Sequence, residues 1–118
     1  MGHWHDVMSE LSEPTRSLRQ AIPEAWDGFV QLHRGAMKDG ALSRGVKEII
    51  ALVISVVDEC DGCVAAHARA AARHGATPEQ VAEALGVALL MTGGPGSVYG
   101  PLAWQAYEEF RASQPAQA

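Results

Sequence analysis

The only two cysteines of the sequence lie in the segment Cys60-Asp61-Gly62-Cys63, at the spacing of a redox pair. Two cysteines separated by two residues can close a small disulfide ring, and a second cysteine that begins a helix lies near unpaired backbone N–H groups that favour the thiolate. His67 follows Cys63 by four residues. In a helix the two side chains would share a face, where the imidazole can accept the thiol proton. The spacing therefore predicts thiol redox chemistry with an adjacent base.

Two other interpretations of the cysteine pair remain open. The pair could be two inert cysteines of the core, or it could be half of a metal site. A zinc site needs four ligands, and His74, seven residues after His67, does not give a recognised zinc-finger spacing. The pattern therefore favours redox chemistry, and we assign no metal ligand.

Glu48 interrupts an otherwise apolar segment, where an unpaired carboxylate would be costly. If the helices on either side of Glu59 form an antiparallel hairpin, Glu48 lies eleven residues before the turn and His67 eight residues after it. The mismatch of three residues is about 4.5 Å at the helical rise, which a glutamate side chain or one water molecule can bridge. We therefore predict that Glu48 orients His67. The alternative for Glu48 is a solvated position on an exposed helix face.

The composition favours one all-helical domain that spans residues 1–118. Hydrophobic residues make up 47% of the chain but aromatic residues only 6%, and the difference is largely alanine, which suits closely packed helices. The formal net charge is −5, and the nine lysine and arginine residues form no run. A nucleic-acid partner and a basic membrane-binding face are therefore not indicated.

No segment of the sequence has the length of a membrane span. The longest mostly apolar run, from Ile49 to Val57, is about half of the ~20 residues that a membrane helix needs. The first residues contain no apolar stretch of the signal-peptide type. Both cysteines belong to one motif, so none is left for a structural bridge, as is typical of a reducing compartment. We therefore expect a cytoplasmic protein.

Helix start and stop signals divide the chain into six predicted helices. Ser43 is suited to cap the third helix, and Gly75 to end the fourth. Thr77, Pro78 and Gln80 combine an N-cap, a first-turn proline and a capping box. The predicted helices are a short and a longer one between Glu13 and Met37, then Arg44–Val57, Cys63–His74, Pro78 to about Met91, and a last one through Trp104 and Phe110. We expect residues 113–118 to fray.

The pattern Glu48, eleven intervening residues, then Cys60-x-x-Cys63-x-x-x-His67 resembles that of the alkylhydroperoxidase D-like (AhpD-like) branch of the carboxymuconolactone decarboxylase superfamily. The similarity is strongest over residues 42–94 and includes the turn that follows Gly75. It implies an all-α, AhpD-like helical bundle with a central antiparallel helix hairpin that carries the CxxC motif. It also implies a homo-oligomer, commonly a trimer or a hexamer.

The resemblance further implies a peroxidase cycle and a role for each residue of the pattern. Cys63 would attack the hydroperoxide substrate, and Cys60 would resolve the resulting sulfenic acid. His67 would accept a proton, and Glu48 would be the relay carboxylate. The cycle requires an external dithiol reductant, such as a lipoyl-bearing or thioredoxin-like protein, but no metal or organic cofactor. The best-known peroxidases of this type have a second histidine immediately before the second cysteine, where this chain has Gly62.

Other features of the motif point away from strong peroxidase activity or towards other functions. Asp58, Glu59 and Asp61 place negative charge around the cysteines and would oppose thiolate formation. The superfamily name suggests a decarboxylase or lactone-processing enzyme, whose activity would survive alkylation of the thiols. A third alternative is a non-catalytic scaffold or metal-binding subunit.

Overall fold

Six α-helices account for most of the described part of the chain, residues 2–115 of the computed structural model. They are α1 (His3–Ala21), α2 (Pro23–Ala36), α3 (Arg44–Val57), α4 (Asp61–Arg73), α5 (Pro78–Thr92) and α6 (Gly94–Ala112). No strand occurs within residues 2–115, so the all-α prediction is confirmed. Residues 116–118 of the segment expected to fray lie outside the described residues.

Helices α3 and α4 form the predicted antiparallel hairpin at the centre of the bundle. Helix α4 packs against α1, α3 and α6. Its buried residues are Val64 and three alanines, whose small side chains allow neighbouring helices to approach closely. The turn before it contains Glu59, whose φ of 53° lies in the left-handed region. The hairpin therefore places the cysteine motif at the start of a buried helix.

A close contact at Gly45 sets the height of α3 relative to α4. A Cβ atom at this buried position would lie 2.7 Å from the backbone carbonyl oxygen of His74, which is closer than side chains pack. Only glycine therefore allows the start of α3 to lie against the end of α4. Glu48 follows within one turn of this contact, so the same contact places its carboxylate beside α4.

The predicted first residue of α1 was wrong. The helix begins at His3, ten residues before the expected start at Glu13, and Pro14 lies inside it rather than in a first turn. Trp4 explains the difference, because it is 1% exposed and belongs to the hydrophobic core. Burial of a tryptophan contributes about 1.5–3 kcal/mol or more, comparable with the roughly 3 kcal/mol that an internal proline costs a helix. Tertiary packing therefore extends α1 beyond its local signals.

The start of α5 follows its sequence signals closely. Gln80 donates its backbone N–H to Thr77 Oγ1 at 3.2 Å, and Thr77 donates its backbone N–H to Gln80 Oε1 at 3.0 Å. The predicted capping box is confirmed. The expected break after α5 is shorter than predicted, because Gly93 alone, with φ of 65°, separates α5 from α6. Pro95 fits the first turn of α6, where its missing N–H costs nothing.

The start of α1 is held on α6 by a carboxylate. Glu109 accepts the backbone N–H groups of Trp4 at 3.2 Å and His5 at 2.7 Å, and it also contacts the His5 ring. Trp4 Nε1 donates to Gln105 Oε1 at 3.0 Å. Because Gly2 supplies no capping side chain, Glu109 satisfies the N-terminal donors of α1 instead. These contacts fix α1 across the bundle, where it forms one wall of a cleft above α4.

Glu109 should make stability depend on pH in the acid range. Burial alone raises the pKa of its carboxyl group, but the hydrogen bonds from His5 and Trp4 outweigh burial and hold the pKa below its ordinary value of 4.5. The carboxylate therefore stabilises the fold above about pH 4.5, and this contribution is lost as the pH falls below that value. We expect Glu109→Gln to lower the free energy of unfolding by about 1–2 kcal/mol at pH 7 in urea denaturation.

The neighbouring exposed residue provides the control for this prediction. Glu108→Gln removes the same negative charge as Glu109→Gln, but the free energy of unfolding should stay within about 0.5 kcal/mol of the wild type. The difference between Glu109→Gln and the wild type should shrink on acidification. A difference that stays constant from neutral pH down to pH 3 would contradict the assigned role of the carboxylate.

Helix α2 differs from the other helices because none of its residues is buried. Within residues 2–115 its backbone approaches only that of α1. Apolar side chains of this helix therefore lie open, with Phe29 58% and Leu32 68% exposed. Among the described helices, none combines the length and the apolar character required to cross a membrane.

Candidate functional site

The two cysteines lie at the N-terminal end of α4 and form a disulfide. Cys60 is the N-cap residue, and its Sγ accepts the backbone N–H of Cys63 at 3.3 Å. Their Cα atoms are 5.2 Å apart, within the range that a disulfide spans. Both residues are partly exposed. The N-terminal backbone donors of α4 therefore face the sulfur atoms and favour negative charge there when the pair is reduced.

A tyrosine that the sequence analysis did not identify holds one of the acidic residues of the motif. Tyr99, in α6, donates its hydroxyl to Asp61 Oδ1 at 2.8 Å. This hydrogen bond, with the nearby negative charges of Asp61 and Glu59, raises the pKa of Tyr99 above its ordinary value. The phenol therefore stays protonated at neutral pH and remains a donor. This hydrogen bond from α6 therefore offsets part of the negative charge that Asp61 places near the cysteines.

Glu48 lies between two basic side chains and has no exposed surface. Its Oε1 is 2.8 Å from His67 Nδ1, and its Oε2 accepts Arg44 Nε–H at 2.8 Å. Because a carboxylate only accepts, Nδ1 of His67 carries the hydrogen of this contact, and Nε2 is the ring nitrogen that remains to take up a proton. Glu48 therefore fixes both the orientation and the tautomer of His67.

The hairpin brings Glu48 and His67 together directly. The expected offset of about 4.5 Å is spanned by the glutamate side chain without a bridging water. The alternative of a solvated Glu48 is wrong, because the side chain is fully buried. The structure thus brings all four residues predicted from the sequence to one hairpin: Cys60 and Cys63 at the start of α4, His67 one turn further on, and Glu48 opposite it on α3. Their catalytic roles stay a prediction.

A cavity of about 210 Å³ opens beside the Glu48–His67 pair. It is lined by residues of three helices, including His33 of α2, Arg44 of α3 and His74 at the end of α4. The sequence analysis missed Arg44, although its spacing of four residues from Glu48 is that of a helical ion pair. His33 was not predicted as a site residue, and no local signal places it here.

Comparison with known proteins identifies the family. The model of the carboxymuconolactone decarboxylase family matches residues 23–106, which include all four predicted site residues. The chain belongs to this family. The resemblance inferred from the cysteine motif is therefore confirmed at the level of the superfamily.

Relatives of this family member are similar over most of its length. An uncharacterised protein of Cupriavidus necator is 39% identical over 110 residues, which cover 91% of this chain and 97% of that protein. An uncharacterised protein from a cox locus of Paracoccus denitrificans is 40% identical over 68 residues, 58% of this chain and 61% of that protein.

Two solved structures share the fold. A carboxymuconolactone decarboxylase family protein from Legionella pneumophila superposes with a TM-score of 0.88 at 35% identity, covering 92% of this chain and 96% of that one. A Burkholderia xenovorans protein, provisionally described as a carboxymuconolactone decarboxylase, gives a TM-score of 0.73 at 21% identity, covering 93% and 95%. The second similarity shows the fold alone.

Proposed function

We propose that this family member is a thiol-dependent peroxidase that reduces hydroperoxides through Cys60 and Cys63. The observation that carries the proposal is the contact of His67 Nδ1 with the buried Glu48, because it fixes an imidazole one helical turn after Cys63 and leaves its Nε2 to accept a proton. An inert structural disulfide would not require a histidine of fixed tautomer one turn from its second cysteine.

The proposed cycle uses each residue once. The thiolate of Cys63 attacks the outer oxygen of the hydroperoxide, the O–O bond breaks, and the alcohol leaves after taking up a proton, so that Cys63 becomes a sulfenic acid. The thiol of Cys60 then attacks this sulfur, the disulfide forms and water leaves. His67 takes the proton from the Cys63 thiol and returns it to the leaving oxygen, while Glu48 stabilises the imidazolium.

An external dithiol completes the cycle by reducing the disulfide and becoming a disulfide itself. We propose a lipoyl-bearing or thioredoxin-like protein as this partner, since the cysteine pair lies at a helix end and remains partly exposed. We also propose a homo-oligomer, a trimer or a hexamer. Its support is the open apolar surface of α2 together with the exposed Leu90 and Met91 of α5.

Rapid mixing of the reduced protein with an organic hydroperoxide tests the function. We expect the loss of two thiols per chain, and the formation of one alcohol per peroxide, at the rate at which peroxide disappears. A rate no higher than that of a small thiol at the same pH would contradict the proposal. If instead a small lactone is converted and the reaction survives thiol alkylation, the protein is a decarboxylase-type or lactone-processing enzyme and the cysteine pair is incidental.

A further inference from the structure

A cleft of about 930 Å³ between α1 and α4 carries four arginines. Arg16 and Arg19 project from α1, and Arg69 and Arg73 from α4. These are four of the nine lysine and arginine residues of a chain whose net charge is −5. Among the described residues that line the cleft, none is an aspartate or a glutamate. Nearly half of the lysine and arginine residues therefore line one concave surface.

Within residues 2–115, no salt bridge neutralises the four arginines. None of them takes part in the salt bridges that join residues 2–115, which involve only His5, Arg44 and His67 as bases. Burial and the neighbouring charge of Arg73 lower the pKa of Arg69, as expected where two guanidinium groups lie close together without an anion. Arg69 is half-buried and the other three arginines are exposed, so a bound anion would chiefly offset the mutual repulsion of Arg69 and Arg73.

The arginine cleft adjoins the predicted catalytic residues. Ala66, Arg69 and Arg73 line both this cleft and the smaller cavity beside Glu48 and His67. Ala66 lies one turn after Cys63 and one turn before Arg69. Along the helix axis, six residues separate Cys63 from Arg69 and ten separate it from Arg73, which corresponds to about 9 Å and 15 Å. Gly62, which directly precedes Cys63, also lines the cleft, so a molecule held by these arginines can extend as far as the start of the helix that carries the cysteines.

The rest of the cleft is lined by both polar and apolar side chains. Ser9, Ser12 and Thr15 are among the polar ones, whereas Met8 and Leu11 of α1 and Phe110 of α6 form an apolar patch. An apolar patch beside guanidinium groups favours an organic anion over an inorganic one. The volume is within the range of small-molecule sites and the shape is concave, whereas an acidic protein would require a broad, flat surface. Arg16 and Arg19 lie outside residues 23–106, the region that the family model matches. Two of the four guanidinium groups in the cleft therefore come from a segment beyond that match.

We propose that the cleft binds the carboxylate of an organic hydroperoxide and presents its peroxide group to Cys63. The substrate class would then be carboxylate-bearing hydroperoxides with an apolar chain, with Arg69 and Arg73 as ligands of the carboxylate. Guanidinium groups bind carboxylates through paired, charge-assisted hydrogen bonds. This assignment of a substrate class rests on the proposed peroxidase function, whereas the binding of an organic carboxylate by the cleft does not depend on it.

The first test compares the terminal hydroperoxide of octanoic acid with its methyl ester. The two share the peroxide group and differ in one negative charge. We expect kcat/KM for the acid to exceed that for the ester by about 10–100-fold, mainly through KM, and the ratio to fall towards one in Arg69→Gln and in the more exposed Arg73→Gln. The control Arg111→Gln removes the same group from an exposed position that does not line the cleft, and it should keep the wild-type ratio.

The second test measures binding without turnover. Octanoate is titrated calorimetrically into the oxidised protein, and we expect saturable binding that weakens at least tenfold in Arg69→Gln or Arg73→Gln and falls with rising salt. Equal reactivity of acid and ester together with no arginine-dependent octanoate binding would overturn the proposal. Binding of an acidic polypeptide such as polyglutamate, but not of octanoate, would overturn it as well. Arginine-dependent octanoate binding without any peroxide reduction would support the carboxylate site and refute the peroxidase function.

Discussion

Cys63→Ser is expected to abolish peroxide turnover, lowering the rate to that of the uncatalysed reaction. A serine hydroxyl at the start of α4 cannot form the sulfenic acid on which the cycle depends, and no other thiol than Cys60 is present in the chain. The measurement is the consumption of an organic hydroperoxide by the pre-reduced variant. Full turnover by Cys63→Ser would disprove the assignment of Cys63 as the attacking residue.

Cys60→Ser is the matched control because it removes the other sulfur of the same disulfide. Serine is a preferred N-cap residue and can accept the Cys63 backbone N–H that Cys60 Sγ now accepts, so the start of α4 should stay folded. We expect this variant to consume one peroxide per chain and then stop with a sulfenic acid on Cys63, which a dione reagent and mass spectrometry detect. If Cys60→Ser were inactive and Cys63→Ser trapped the sulfenic acid, the two roles would be exchanged.

Glu48→Gln should slow the reaction with peroxide by a hundredfold or more while the protein stays folded. The carboxamide would turn its oxygen towards Arg44, because its NH₂ group cannot accept the guanidinium hydrogen. The NH₂ group would then face His67 Nδ1 and donate to it, which leaves the hydrogen on Nε2. In this tautomer His67 cannot accept the Cys63 proton at Nε2, and general-base assistance contributes about 10²–10⁴-fold.

Single-turnover kinetics of thiol oxidation measure this effect without a reductant. The control is Glu83→Gln, an equal change on the exposed face of α5, which should react at the wild-type rate. Thermal unfolding of both variants shows whether a slow reaction reflects the tautomer or a loss of structure. A Glu48→Gln protein that is folded and reacts as fast as the wild type would remove Glu48 from the proposed proton path.

The parts of the site that the sequence predicts are those fixed by helical register. Cys63 and His67 share one helix, and Glu48 faces them across a short turn, so counting residues is enough to place the three together. Arg44 could have been predicted by the same residue counting, because it precedes Glu48 by one helical turn. The spacing alone does not show that this ion pair reaches a buried carboxylate, because the burial of Glu48 comes from the packing of the hairpin.

The cleft above α4 could not be predicted in this way. Its α1 wall exists because Trp4 and His5 bind Glu109, more than a hundred positions further along the chain. No periodic pattern records that pairing, and Pro14 even suggested a later helix start. The arginines of α1 and α4 therefore come together only through long-range packing, which local propensity does not encode.

Helix α2 has a consequence for the dynamics of the protein. Fourteen residues without a buried side chain form a helix that is marginal by itself, whereas α4 is enclosed by three neighbours. In a lone chain the amide hydrogens of α2 would exchange with deuterated solvent orders of magnitude faster than those of α4. His33 of α2 lines the cavity beside Glu48. Any molecule that packs on α2 and slows its hydrogen exchange would therefore also reduce the motion of one side of that cavity.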